Sequence, residues 1–552
     1  FTNDAKQLLT VSSDKTIRYI ETEYWRTIKT INADEKGDIG ALNGSQEFLL
    51  FSNNGKLIKY DCKTGKTAYT FFAVDEKDYL VTDNNNHYDG TEAARKLLYF
   101  TCGTEVIELD QVKDQLWVPD LAERIMKGDS IQAKTLDELN ICGLTPEVQD
   151  ISNKKDVYAY KIIPRRGGLG KTILYVNGIE ARQYQPRDLV KKDNGYELLI
   201  KKEELGEFLI KGKENPVLVK AFTAADDISS RGVVINAVAN EKTSIAPNLF
   251  AVVIGVSDYK GDELDLKYAD KDATDISNAI SLSAKKLLNT GDGHEHVFMY
   301  KLTTAKDHDR LPEKKAIKKV LEEVGNKARA NDILLVFFAG HGVMAKPKGN
   351  NSDKKQFYFL TADASSSTAT DAINDVGIST EELTDWMQPK LIKAQKRVFI
   401  FDACNSGQAI SDFVKMGKEG QGYISARGDD KSQLMKAIDK LNEKSGLFIL
   451  SASASNQNAY EMGRYSQGLL TYSLLKAIKQ QPDILTEGKY LDLGRWFNAA
   501  KETVSDLSRE SGARQEPQVI SNTNFNIGMV DEEVMSRISL PAEKPVFTAG
   551  NF

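Results

Sequence analysis

The second half of the chain alternates continuous apolar runs with stretches of helical period. "LFAVVIGV" (249–256), "DILLVFFAG" (332–340), "RVFIFD" (397–402) and "LFILSAS" (447–453) each hold four or more successive apolar positions. An extended strand tolerates that only when both its faces are covered. "HVFMYKL" (296–302) and "FYFLT" (357–361) read as shorter strands of the same kind. Between them, "LKYADKDATDISNAI" sets Leu266, Ala269, Ala273, Ile276 and Ile280 at spacings of three and four, one face of a helix. "PEKKAIKKVLEEVGNKA" does the same with Ile317, Val320, Leu321 and Val324, and "STEELTDWM" and "GLLTYSLLKAIKQ" read as further helices. The alternation predicts an α/β domain over 249–530 with a mainly parallel sheet. In such sheets functional residues gather beyond the carboxyl ends of the strands.

The first half has another texture, short strands and turns. "QLLTVSSDKTIRYIETEYWRTIKTI" and "EFLLFSNNGKLIKYDCKTGKTAYTFF" align at an offset of 41, setting Arg18 and Tyr19 over Lys59 and Tyr60. A period of about 40 to 45 residues with four short strands per unit is the pattern of propeller blades. Residues 1–109 accordingly resemble the WD-repeat family, with "RYI" and "KYD" where the Trp-Asp pair stands, and are expected to be a β-propeller fragment. Two blades do not close a propeller, and the chain starts in mid-pattern at Phe1, so further blades are expected upstream. Residues 110–150, with "LWVPDLAERIMKG" and "TLDELN", read as a helical connector. From 151 to 242, "VYAYKII", "TILYVNG", "YELLIKK", "FLIKG", "PVLVKAFTA" and "GVVINAV" predict an immunoglobulin-like β-sandwich. Within it, "RRGGLGKT" (165–172) approaches a phosphate-binding loop, but Arg165 stands where a glycine is needed and a strand pattern follows instead of a helix. A turn between strands is the better reading. Residues 531–552 read as a C-terminal tail.

At 552 residues the chain exceeds one ordinary core, in keeping with several domains. A net charge of -6 with dispersed basic residues argues against a nucleic-acid partner, and no apolar run approaches the length of a membrane span. The four cysteines (Cys62, Cys102, Cys142, Cys404) are far apart and form no CxxC pair. That spacing predicts neither a disulfide framework nor a thiolate metal site, and so a reducing, cytoplasmic setting. No Asp-x-Asp-x-Asp-Gly loop for calcium is present; no metal and no cofactor is expected.

Two of the predicted strands end in reactive residues. "LLVFFAGHG" ends in His341 and "VFIFDACNSG" in Cys404. A cysteine nucleophile needs a base or a positive neighbour to raise its thiolate fraction, and a histidine at the matching end of a neighbouring parallel strand supplies one. The amides of Gly342 and Cys404 are candidate oxyanion donors. "FFAGHG" followed by "FDACNSG", after "IGVSDY" and "LKYADKDA", resembles the caspase-like cysteine peptidases, the metacaspase and bacterial branch more than the animal caspases. The order of a WD-repeat region and then a β-sandwich also resembles bacterial members of that family.

The resemblance implies a dyad in which Cys404 attacks, His341 is the base and a thioester acyl-enzyme forms. It also implies a specificity. Asp402 lies two residues before Cys404 and so faces the same side of an extended strand; animal caspases, which cut after aspartate, carry glutamine there. In the metacaspase-like branch this acid and one from the helix form a pocket for Arg or Lys, which carries over to Asp402 and Asp272, with Asp270 as the alternative helix position. Some metacaspases place a serine two residues before the histidine, where this chain has Ala339. "SASASNQNAYE" (451–461) matches the strand and loop lining the family's cleft, making Ser451 and Glu461 candidate contacts. Relatives often cut themselves in the linker that corresponds to 408–446, where Arg427 is the candidate site. Calcium activation is common in the branch and is left open. The expected partners are proteins or peptides with basic residues, and binding proteins held by the propeller. The rival reading is a catalytically silent caspase-like scaffold that acts as an interaction or signalling module.

Overall fold

A computed structural model describes the chain apart from residues 2–4, 33–36, 43–47, 53–54, 61–65, 76–77, 104, 130, 132–133, 154–155, 240–245, 290, 307, 348–355, 404–446, 454–458, 463, 511–514, 521–523 and 543–552. The N-terminal region is mostly strands. The offset of 41 falls on structure: Gln7–Val11, Thr16–Glu21, Arg26–Asn32 and Gly37–Leu42 recur as Phe48–Ser52, Lys56–Tyr60, Thr67–Ala73 and Tyr79–Thr82. Tyr19 and Tyr60 are buried in one cluster with Ile17 and Ile58. The sheets are nevertheless of three and six strands, not fours. Gly37–Leu42 pairs with Phe48–Ser52 of the next repeat instead of its own. Tyr79–Thr82 continues into Tyr88–Gly90 because Asp83 Oδ1 accepts the Asn85 and His87 amides and closes a tight turn.

The connector holds only short helices, Lys113–Leu116, Leu121–Lys127 and Leu136–Leu139. Contrary to the expectation from spacing, Cys102 and Cys142 form a disulfide with Cα atoms 5.5 Å apart. The fold returns residue 142 to the hairpin whose first strand ends at residue 102, a proximity that sequence separation hides. Two four-stranded antiparallel sheets follow. They share one core, with Tyr160, Ile162, Leu198 and Ile200 from the first sheet and Leu174, Val176, Val217 and Val219 from the second. The first of these strands starts at Glu147, earlier than expected. "FLIKG" is a loop, not a strand: the Asn215 side chain accepts from the Ile210 amide and donates to its carbonyl, occupying the groups a ladder would use. Strands Ile179–Tyr184 and Val190–Lys192 were not anticipated. In "RRGGLGKT" the Gly168 amide donates to the Arg165 carbonyl at 2.9 Å, a turn, and a strand begins at Thr172.

The C-terminal domain is built on a six-stranded mixed sheet. Its strands are β1 (Leu249–Gly255), β2 (Val297–Thr303), β3 (Ile333–Gly340), β4 (Lys396–Ala403), β5 (Leu447–Ser451) and β6 (Gln518–Ile520). The order is β2-β1-β3-β4-β5-β6, with the first five parallel and β6 antiparallel to β5. The helices that position the site are α1 (Ala269–Leu288), α2 (Lys314–Gly325), α3 (Thr380–Trp386), α4 (Leu469–Gln480) and α5 (Leu493–Glu510). Alternate strand residues feed two cores. Val253, Phe337, Ile400 and Leu450 pack under α1, α4 and α5, whereas Ile254, Phe338, Phe401 and Ile449 pack under α2 and α3. Each fully buried side chain of this size contributes about 1.5–3 kcal/mol, which is why both faces must be apolar. "FYFLT" lies outside the main sheet, as Gln356–Phe359 between Gly342–Ala345 and Ile378–Ser379. Helix Glu532–Arg537, in the expected tail, sends Val534 into the core under α1, as does Ile538 just after it.

Candidate active site

The carboxyl edge of the sheet places His341 directly after β3. Gly340 precedes it at φ 152°, and a Cβ there would fall 2.8 Å from the Tyr259 hydroxyl, so only glycine lets the chain turn at this point. The His341 amide donates to Tyr259 Oη at 2.9 Å, and the two rings lie 5.3 Å apart. His341 Nε2 is 2.7 Å from the Leu264 carbonyl oxygen. A carbonyl can only accept, so Nε2 carries the hydrogen, and in the neutral ring Nδ1 keeps the lone pair. That is the form a general base needs, and it is set by a backbone carbonyl where a carboxylate is often found. Gly342 begins the neighbouring short strand, opposite Phe359.

The register of β3 with β4 pairs Gly340 with Ala403, the residues immediately before His341 and Cys404. Cys404 itself lies outside the described residues, as do residues 408–446 with Arg427.

Asp402 and Asp272 come together. Asp402 Oδ2 accepts from the Thr471 amide at 3.1 Å and its hydroxyl at 2.7 Å. Thr471 is the third residue of α4, whose first amides have no partner within the helix. Asp272, in the first turn of α1, accepts the Gly468 amide at 2.9 Å. A Cβ on Gly468 would lie 2.8 Å from Oδ2 of both acids, so the glycine is what lets them approach. Helix amino termini favour negative charge, yet desolvation dominates. Burial pushes the Asp402 carboxyl up to about 6, against the pull of Thr471. Burial and then the charge of Asp402 push Asp272 well above the ordinary carboxylate range. No salt bridge to either acid forms among the described residues.

The other candidates stand elsewhere. Asp270 is tied to Ser257, whose hydroxyl donates to it at 2.8 Å, and to the Lys271 amide. Glu461 accepts the Lys267 and Tyr268 amides, each at 3.0 Å, and so fastens the start of α1. Ser451 is fully buried and donates to the Ser453 carbonyl at 3.2 Å. Ala339 lies beside Asp402 in the register. Leu264, Tyr259, Gly468 and Thr471 were not anticipated. Glycine is a tolerated N-cap, so Gly468 ahead of the α4 pattern carried a weak helix-start signal, whereas a backbone carbonyl acting on a histidine leaves no mark in the sequence. Among the described residues no group of three or more His, Cys, Asp or Glu side chains is arranged to hold a metal ion, and no helix is long and apolar enough to cross a membrane.

The described part of the site is therefore His341 just after β3, with Nε2 on the Leu264 carbonyl, and the buried Asp402 near the end of β4 with Asp272 of α1. Residues 248–526 match the family model described as the caspase domain, and the chain belongs to that family of cysteine-type peptidases. Metacaspase-3 of Arabidopsis thaliana is 25% identical over 285 residues, which span 50% of this chain and 73% of that protein. Among solved structures, protein GSU0716 from Geobacter sulfurreducens is similar at a TM-score of 0.31 and 15% identity, covering 52% of this chain and 97% of that one. Raptor from Chaetomium thermophilum is similar at a TM-score of 0.24 and 15% identity, covering 42% of this chain and 18% of that one.

Proposed function

We propose that the chain is a cysteine endopeptidase that cuts after Arg or Lys. The observation that carries the specificity is the buried Asp272 and Asp402 pair, two carboxylates beside one Gly468 with no cation of the described chain to pair them. A basic substrate side chain supplies the missing charge, and an acidic one adds further negative charge in a poorly solvated place. In the reaction His341 Nδ1 takes the thiol proton as Cys404 sulfur attacks the scissile carbonyl. The amides of Gly342 and Cys404 hold the oxyanion. Collapse breaks the C–N bond, the amine leaves with the proton held by His341, and a thioester remains. Water, deprotonated by the same nitrogen, then releases the acid and the thiol.

Cleavage within 408–446, with Arg427 as the site, fits the same specificity. Residues 1–109 would act as a WD-repeat-like module and the double-sheet region as an immunoglobulin-like one, both for partner recognition. The test is a panel of fluorogenic peptides differing only in the residue before the scissile bond, with and without calcium, against a Cys404→Ala control. Turnover confined to Arg and Lys peptides and lost in the control is expected. No turnover on any peptide would favour the silent scaffold, and cleavage after Asp would refute the pocket.

A further inference from the structure

Gln467 is completely buried on the two-residue strand Gln467–Gly468, which pairs with Glu461–Met462. This strand reaches one face of α1 twice. The Gly468 amide donates to Asp272, and one helical turn on, Gln467 Nε2 donates to Asp275 Oδ2 at 2.8 Å. Asp275 is held in turn by Lys271 Nζ at 2.6 Å. A carboxylate only accepts, so this contact fixes which end of the carboxamide faces it, and Gln467 Oε1 is turned away. That oxygen is buried with no hydrogen-bond partner among the described residues, and so is Asp272 Oδ1. Buried acceptors without donors are costly and rare. Here two sit on neighbouring contacts of the same strand with the same helix, next to the acid pair.

We infer that Gln467 is a specificity-determining residue, whose Oε1 receives a substrate guanidinium together with Asp272 Oδ1, so that the pocket selects Arg over Lys. The inference rests on the reading of the site as a pocket for a basic side chain. A guanidinium offers five N–H groups on three nitrogens spread in one plane and can meet separated acceptors at once, whereas an ammonium donates from a single nitrogen. A bound lysine leaves one buried acceptor unmet, which is how a polar pocket rejects the wrong ligand. Ala339, beside Asp402 in the register, offers no side-chain acceptor.

The test measures kcat/KM for two fluorogenic peptides that differ only in Arg or Lys before the scissile bond, with the full chain and with Gln467→Met, which keeps the length and removes the acceptor. Wild type is expected to prefer Arg by about tenfold or more. Gln467→Met should lose about tenfold on Arg and less than about twofold on Lys, because the acceptor lost is one that Lys does not use. Asp275→Asn, which weakens the contact that orients the carboxamide and leaves Gln467 itself in place, should narrow the same ratio and serves if Gln467→Met does not fold. Equal use of Arg and Lys by the wild type, equal losses on both peptides in Gln467→Met, or an unchanged ratio in Asp275→Asn overturns the inference and leaves the basic pocket standing. No cleavage after either residue by the wild type overturns the pocket itself and the inference with it.

Discussion

Asp402→Asn should make the folded chain more stable at neutral pH while sharply weakening its use of basic substrates. The carboxyl is buried against Thr471 and beside Asp272, and burial moves it from 3.8 to about 6. Holding it ionised in the folded state near neutral pH therefore costs about 3 kcal/mol relative to the unfolded chain, at 1.36 kcal/mol per pKa unit. Asparagine keeps an oxygen for the Thr471 amide and hydroxyl but gives up the extra strength of a charged acceptor. A net gain of about 1–2 kcal/mol is what remains.

The sign with pH follows from the raised value. Below about pH 4 the group is protonated in both folded and unfolded states and contributes no penalty. Between there and about pH 6 the unfolded chain releases its proton while the folded chain keeps it. The penalty grows over that window, so this group lowers wild-type stability as pH rises. The variant lacks that loss. Denaturant unfolding at about pH 5 and about pH 8 should show Asp402→Asn the more stable at the higher pH, with the difference shrinking by at least half at the lower. In parallel, kcat/KM on an Arg peptide should fall about 100-fold, the scale of removing one partner from a buried charge pair. A variant less stable than wild type at pH 8, or one with the same stability difference at both pH values, would refute the reasoning.

Cys404→Ala should abolish peptide turnover without shifting the unfolding midpoint, and on a gel it should stop any fragmentation within 408–446. Identical fragments from the variant would exclude self-processing. Gly468→Ala places a Cβ 2.8 Å from both acid oxygens; it should raise KM for Arg peptides about tenfold with kcat little changed and cost about 1–3 kcal/mol of stability. Tyr259→Phe removes the hydroxyl that receives the His341 amide; kcat should drop about tenfold while KM stays, as expected for a residue that positions the base. Reducing the Cys102 and Cys142 disulfide, which closes a span of 40 residues, should destabilise the N-terminal region by about 4 kcal/mol. Circular dichroism melting should report it as a lower first transition, and kcat/KM of the peptidase domain should stay within about twofold.

Patterning along the chain carried much of the peptidase domain. Ala273, Ile276 and Ile280 are buried on one face of α1, as their spacing of three and four requires. The strands that end before His341 and Cys404 lie side by side because only a sheet covered on both faces can bury such runs. Asp402 was visible through its distance of two residues from Cys404. Asp272 could be set ahead of Asp270 only loosely, since both fall in the first turn of α1; which of them turns inward depends on the approach of Gly468 from a distant strand. Other features left no signal. The partner of His341 is a backbone carbonyl, the disulfide joins residues that only the fold makes neighbours, and "FLIKG" reads as a strand until Asn215 claims its backbone groups.

The acid pair is held by two opposing influences. The amides of Gly468 and Thr471, at the start of α4, favour charge on Asp272 and Asp402, whereas burial opposes it, joined by the charge of Asp402 at Asp272 and that of Glu461 at both. Burial prevails, so both acids keep their protons to higher pH than ordinary carboxylates do, Asp402 to about 6 and Asp272 well above the usual range. A cation entering that pocket removes the reason for the proton to stay. Binding of an Arg side chain should therefore release a proton and tighten as pH rises through about 6, whereas a neutral side chain should do neither. On the proposed reading, the burial that raises both acids would also make the site selective, because a positively charged side chain relieves it.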